Sequence, residues 1–188
     1  MADPVRALTR LFRWGTAPPV GTSAKGTFYG AETEVALRFR ALLDAHAPAA
    51  STTDGEALRA ALLPVVKTCI AGEQAEIEAA HRAGARGIEV VARQADLVDA
   101  VISQLFWLSD RVMPRGLKER TEGCALVALG GYGRRELNPA SDVDVMFLYP
   151  RRVDEYVKAV LDHILYFLWD LGFTVGHSCR SLTDAVRM

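Results

Sequence analysis

One change of pattern limits what this chain can fold into. Up to about residue 113 the apolar residues recur at helical spacing, and beyond a charged loop, Arg115 to Glu122, short continuous apolar runs appear, the first of them bounded by glycines. Before the change, Glu32 to His46 carries Val35, Leu37, Phe39, Leu42 and Leu43, and an Ala-Pro-Ala-Ala-Ser-Thr-Thr linker ends the pattern. A second helix is predicted from Gly55, capped by Asp54, into the alanine-rich stretch Ala71 to Ala83, with Pro64 as a kink or break. A third follows the Gly84-Ala85-Arg86-Gly87 turn, from Ile88 to about Met113, with a broad apolar face. After the change, Cys124 to Leu129 and Val143 to Tyr149 are predicted strands, Val153 to Leu171 a helix and Phe173 to Ser178 a third strand. An all-helical or all-β chain would not change period in this way. The order predicts a mixed-sheet α/β domain behind an N-terminal helical segment.

The 188 residues are half hydrophobic, enough to bury a substantial core. Lysine and arginine number 22 against 23 aspartate and glutamate, so there is no overall cationic field to collect nucleic acid or anionic membrane. Cys69, Cys124 and Cys179 are odd in number and widely spaced, which points to a reducing compartment and to core or semi-buried thiols. The first residues scatter Arg6, Arg10 and Arg13 among apolar ones such as Val5, Leu8, Leu11, Phe12 and Trp14, and no apolar run suits a signal peptide or a membrane span. The expectation is a cytoplasmic protein with neither nucleic acid nor membrane as partner. Residues 1–30, with their Pro, Gly, Ser and Thr-rich stretch Ala17 to Gly26, are expected to form a flexible arm.

The chemistry is concentrated between Leu129 and Val145. Gly130, Gly131 and Gly133 directly follow a strand, where they let the backbone turn sharply and approach a ligand, and a helix beginning there offers free N–H groups to phosphate oxygens. Asp142-Val143-Asp144 opens the next strand. Alternate side chains of a strand share a face, so the two carboxylates point one way while Val143 and Val145 enter the core. Adjacent carboxylates repel unless a divalent cation takes both as oxygen ligands, and Mg²⁺ prefers a few carboxylates supplemented by substrate phosphates and water.

The run Gly-Gly-Tyr-Gly-Arg-Arg-Glu-Leu-Asn-Pro-Ala-Ser-Asp-Val-Asp-Val, residues 130 to 145, resembles the N-terminal domain of the bacterial PII uridylyltransferases, a branch of the DNA polymerase β-type nucleotidyltransferase superfamily. Gly84 to Val91, Leu97-Val98-Asp99 and Gly176 to Leu182 resemble that family too, and the likeness runs from Leu58 to Val186. It implies that Gly130 and Gly131 hold the triphosphate, that Asp142 and Asp144 are catalytic and bind Mg²⁺, and that Arg134 and Ser141 add phosphate contacts. The implied reaction moves UMP from UTP, or a nucleotide from another nucleoside triphosphate, to a PII-type nitrogen regulatory protein. The wider superfamily often has serine where Gly131 stands. The change of pattern divides the chain into the arm, a helical segment at 31–113 and a domain at 114–188, which the resemblance makes the nucleotidyltransferase domain; the resemblance also places a third carboxylate on a later strand beyond Met188. Adenylyl transfer of the glutamine synthetase adenylyltransferase type, or a non-catalytic nucleotide-binding or interaction module, are the alternative readings.

Other residues have simpler readings. His177 and Cys179 sit two apart on a predicted strand without a second pair nearby, as on an ordinary strand face. Arg180, at a strand end, either reaches the triphosphate or lies at the surface; Asp170 is expected at a helix end and Asp184 at a helix start in a capping role, not as the third carboxylate. Trp107 and Trp169 are expected in the core.

Overall fold

The computed structural model describes residues 21–23, 26–28, 33–46 and 55–187. Most of the proposed arm, including the amphipathic pattern from Val5 to Trp14, lies outside the described residues, as do the linker at 47–53 and the Asp54 cap. Within the arm, β1 (Gly21–Ser23) and β2 (Gly26–Phe28) pair antiparallel, Gly21 opposite Phe28, in a stretch where the sequence pattern indicated no strand.

The helical segment comprises α1 (Glu34–His46), α2 (Gly55–Arg82) and α3 (Gly87–Val112). On α1 the core takes Ala36, Phe39 and Leu43, while Leu37 points outward. On α2, Leu58, Leu62, Val66, Ile70, Glu73 and Ile77 form a stripe at helical spacing. Pro64 does not end this helix. It sits on the exposed side, and the buried anchors Leu62 and Val66 on either side of it outweigh the roughly 3 kcal/mol that an interior proline costs. α3 is buried on several faces because it packs against α1, α2 and a later helix. Among the described residues, no helix is long and apolar enough to cross a membrane.

Arg115–Arg120 forms a short helix, α4, rather than the expected loop. Leu117 and Lys118 both donate their backbone N–H to Pro114 O, and so short a helix leaves no periodicity for a sequence reading to find. The sheet follows: β3 (Ala125–Ala128), the one-turn helix α5 (Gly130–Gly133), β4 (Val143–Tyr149), α6 (Glu155–Asp170), β5 (Val175–Ser181) and α7 (Leu182–Val186). β4 is central, antiparallel to β3 and parallel to β5, so the sheet is mixed as expected. Asp154 caps α6 by accepting from Val157 N at 2.8 Å, and its other oxygen accepts from Thr121 Oγ1 at 2.7 Å.

β5 begins two residues later than the apolar run suggests. Phe173 N donates to Leu168 O and Gly172 N to Trp169 O, with Gly172 at φ 90°, so Phe173 is used to close the C-terminus of α6. Trp169 is 45% exposed and not a core residue. It shares the outer face of α6 with Tyr166, whereas Val160, Ile164, Phe167 and Leu168 form the buried face; both readings fit a largely apolar helix end, and only packing separates them. Trp107 is half-buried against the core, and Cys179 is exposed where a semi-buried thiol was expected.

Candidate active site

β4 carries the acidic pair because its register fixes what lies beside each residue. Val143, Val145 and Phe147 face the core, while Asp144 between them is exposed and Asp142 precedes the strand, exposed as well. Leu129 N donates to Asp144 O at 2.9 Å, which brings the start of the glycine turn alongside Asp144. On the other side Asp144 pairs in register with Gly176 of β5. The carboxylate of Asp144 thus has a glycine on either side. A Cβ at Gly130 would lie 2.9 Å from Asp144 Oδ2, and one at Gly176 would collide with Oδ1. Gly130 also has φ 57°, which side chains disfavour.

The chain from Gly130 to Ser141 folds into a compact loop over the sheet end. Gly131 O accepts from both Arg134 N and Glu136 N, Leu137 is buried, and Ser141 N donates to Asn138 O at 3.0 Å, returning the chain to β4. Gly133 lies against the Ala128 carbonyl, where a Cβ would come within 2.7 Å. The first amides of α5 have no acceptor within the helix, as at any helix start.

Gly131, Arg134, Ser141, Asp142 and Asp144 line one cleft of about 620 Å³, together with Val91, Glu136, Leu137, Asn138 and Ala140. Gly130, the remaining residue singled out from sequence, abuts the Asp144 carboxylate. Within the cleft Arg134 Nε donates to Glu136 Oε2 at 3.0 Å. Neither Asp142 nor Asp144 makes an ion pair or side-chain hydrogen bond among the described residues. No group of three or more His, Cys, Asp or Glu assembles there or elsewhere among the described residues.

Three contributors escaped the sequence reading. Val91 reaches the cleft from α3, and nothing in its local sequence marks it. Gly176 was noticed only as part of a resemblance, although it leaves room for Asp144. Tyr132, inside the glycine motif, is buried and donates its hydroxyl to Asp99 Oδ1 at 2.6 Å. Burial pushes the Tyr132 hydroxyl well up and raises the Asp99 carboxyl, the latter against the lowering effect of the Tyr132 hydrogen bond.

The remaining acids and potential ligands stand apart from the cleft. Asp170 pairs with Arg59 at 3.4 Å, and Asp184 is engaged with Ser181, which caps α7 by accepting from Asp184 N. His177 and Cys179 are exposed on β5, the His177 ring lying edge-on to Trp169, and Arg180 does not line the cleft.

Comparison with known proteins gives the family. A family model described as glutamate-ammonia ligase adenylyltransferase matches residues 43–168. The chain belongs to that nucleotidyltransferase family. Curated relatives of the chain carry the name bifunctional uridylyltransferase/uridylyl-removing enzyme. The Rhodospirillum rubrum protein is 37% identical over 141 residues, covering 74% of this chain and 15% of that protein. Those of Erythrobacter litoralis and Novosphingobium aromaticivorans are 38% and 39% identical over 153 residues, covering 79% of this chain and 16% of each relative. The chain therefore spans about a sixth of the length of the relatives it matches. No solved structure matches it.

Proposed function

We propose that this chain carries the nucleotide-binding and metal-binding part of a nucleotidyltransferase that moves UMP from UTP to a PII-type regulatory protein in the cytoplasm. The observation that carries the reading is the acidic pair: two exposed carboxylates without a cationic partner among the described residues, beside a glycine turn, in one cleft. In this reading residues 114–188 are the nucleotidyltransferase domain and 31–113 a helical segment in front of it.

The donor set suits Mg²⁺. Asp142 and Asp144 supply two hard oxygens, the bare glycines at 130 and 176 leave space around one of them, and a set this small leaves room for phosphate and water ligands. Bound there, the ion would neutralise charge on the phosphates as pyrophosphate leaves. The chain's own residues bind and orient. Backbone N–H groups at the start of α5 donate to phosphate oxygens, so Gly130 and Gly131 are binding residues by virtue of their backbone. Arg134 exchanges Glu136 for a phosphate oxygen, and Ser141 offers its hydroxyl at the turn into β4. Val91 closes the cleft from the helical side. The bound triphosphate would then present its α-phosphorus for in-line attack by a hydroxyl of the acceptor protein.

The name of the matching family model favours a second reading, transfer of AMP from ATP to glutamine synthetase. Label transfer separates the two. With α-labelled UTP and α-labelled ATP offered to the full-length protein, each with a PII protein and with glutamine synthetase, the expected product is PII labelled from UTP. Glutamine synthetase labelled from ATP would replace the first reading by the second, and no transfer to either would remove both.

A further inference from the structure

The glycine turn is fastened to the helical segment by two side chains. Tyr132, the one residue of α5 with a side chain, is 4% exposed and donates its hydroxyl to Asp99 Oδ1 at 2.6 Å. Three residues on, Arg135 Nη2 donates to Asp96 Oδ1 at 2.5 Å. Asp96 and Asp99 are one turn apart on α3, so both acceptors stand on one face of that helix and engage two donors with the same spacing. Arg135 has φ 59°, a left-handed conformation that residues other than glycine rarely hold unless their surroundings fix it. The ion pair with Asp96 is such a restraint.

The turn's backbone bonds are local. α5 is four residues long; Gly133 N bonds to Leu129 O at 2.7 Å, Arg134 N and Glu136 N to Gly131 O, and Arg135 N to Tyr132 O, so these close the loop on itself and on the strand end without reaching the helical segment. α3, by contrast, is held by packing along most of its length, so it serves as the fixed member of the contact.

We propose that Asp99 and Asp96 are positioning residues: acting through Tyr132 and Arg135, they set the orientation of the glycine turn toward Asp142 and Asp144, so that α3 helps determine affinity for the nucleoside triphosphate. The proposal rests on the reading of the cleft as a nucleotide site, and its test has one arm that does not.

The test compares Tyr132→Phe, Asp99→Ala, Asp99→Asn and the Tyr132→Phe, Asp99→Ala double variant in the full chain. Titration with Mg²⁺ and UTP is expected to show about three- to tenfold weaker binding for Tyr132→Phe and for Asp99→Ala, the loss of one hydrogen bond's worth of orientation. The double variant loses no more than the larger single loss, because both changes remove the same bond. Asp99→Asn keeps an acceptor for the hydroxyl and restores binding to within about twofold. Without nucleotide, amide hydrogen exchange across 130–136 quickens in the Phe and Ala variants and not in Asp99→Asn. A lowered melting temperature with unchanged affinity in Tyr132→Phe and Asp99→Ala would overturn the proposal and leave an ordinary structural bond. Should the unsubstituted chain not bind UTP, the nucleotide reading fails, and the exchange arm still decides: unchanged exchange at 130–136 in Tyr132→Phe overturns the clamp, and quickened exchange upholds it.

Discussion

The helical segment and the end of the sheet treat their acidic residues in opposite ways. On α2, Glu73 is buried at 4% exposure, and Arg38 of α1 meets it at 2.6 Å. On α3, Asp96 and Asp99 have Arg135 and Tyr132. At the start of β4, Asp142 and Asp144 lie next to each other in sequence register, exposed, with no protein cation among the described residues. A buried acid without a partner would cost several kcal/mol, so the pairing of Glu73 is a condition of folding. An exposed pair has no such requirement, and its charge remains available for a ligand. Pairing therefore separates acids engaged within the protein from acids whose charge is left for a ligand.

Removing Arg38 should give the largest effect on the structural side. Arg38→Ala leaves Glu73 buried without its guanidinium, and chemical denaturation is expected to show a loss of about 3 kcal/mol, the lower end for a broken buried pair because Arg38 itself is half-exposed. Replacing Arg38 and Glu73 together by apolar residues should recover most of it. Equal losses from the single and the double change would show that Arg38 acts by packing and not by pairing.

The joint between the two regions gives a smaller, pH-dependent effect. Ser109 Oγ on α3 donates to Leu105 O at 2.7 Å, so in the 2.5 Å contact with His163 of α6 it is His163 Nδ1 that donates, leaving Nε2 buried without a partner. Burial first, and Arg59 second, lower the His163 pKa to about 4. A histidine whose folded value lies below its unfolded value near 6.5 contributes stability that is present above about pH 6.5 and lost as pH falls toward 4. The expected loss is on the order of 2 kcal/mol. Asp99, raised by burial, has the opposite sign, so the difference between the unsubstituted chain and His163→Gln across pH 7 to 4 isolates the histidine. Parallel curves would show that His163 is already free to protonate.

What the sequence made legible follows the same division. Alternation at Val143, Asp144 and Val145 put two residues in the core and the acid outside it, and the helical stripes announced α1, α2 and α3, because both patterns are short-range consequences of chain geometry. The mixed sheet followed from the order of those elements. Contacts between distant residues were not legible. Tyr132 and Asp99 are 33 residues apart and Arg135 and Asp96 are 39 apart, and no local pattern pairs them. Val91 joins the cleft for the same reason. Trp169 misled in a different way: hydrophobicity favoured a buried ring, and packing decided against it; at Pro64, where a kink or break was expected, the helix does not break. The start of β5 shifted because Phe173 was required by the closure of α6, a competition between neighbouring elements that a reading of either one alone does not register.

Asp142 and Asp144, left unpaired at the start of β4, are expected to bind a metal and a triphosphate. Calorimetric titration of UTP into the chain, with and without Mg²⁺, for the unsubstituted protein and for Asp142→Asn with Asp144→Asn, tests it most directly. The expected result is metal-dependent binding in the first and loss of that dependence in the second, with a melting temperature that does not fall, since the change removes repulsion and no partner. Unchanged metal-dependent affinity in the double variant would mean that the metal and triphosphate bind elsewhere, and a double variant that loses binding only because it unfolds would mean that the two acids support the fold.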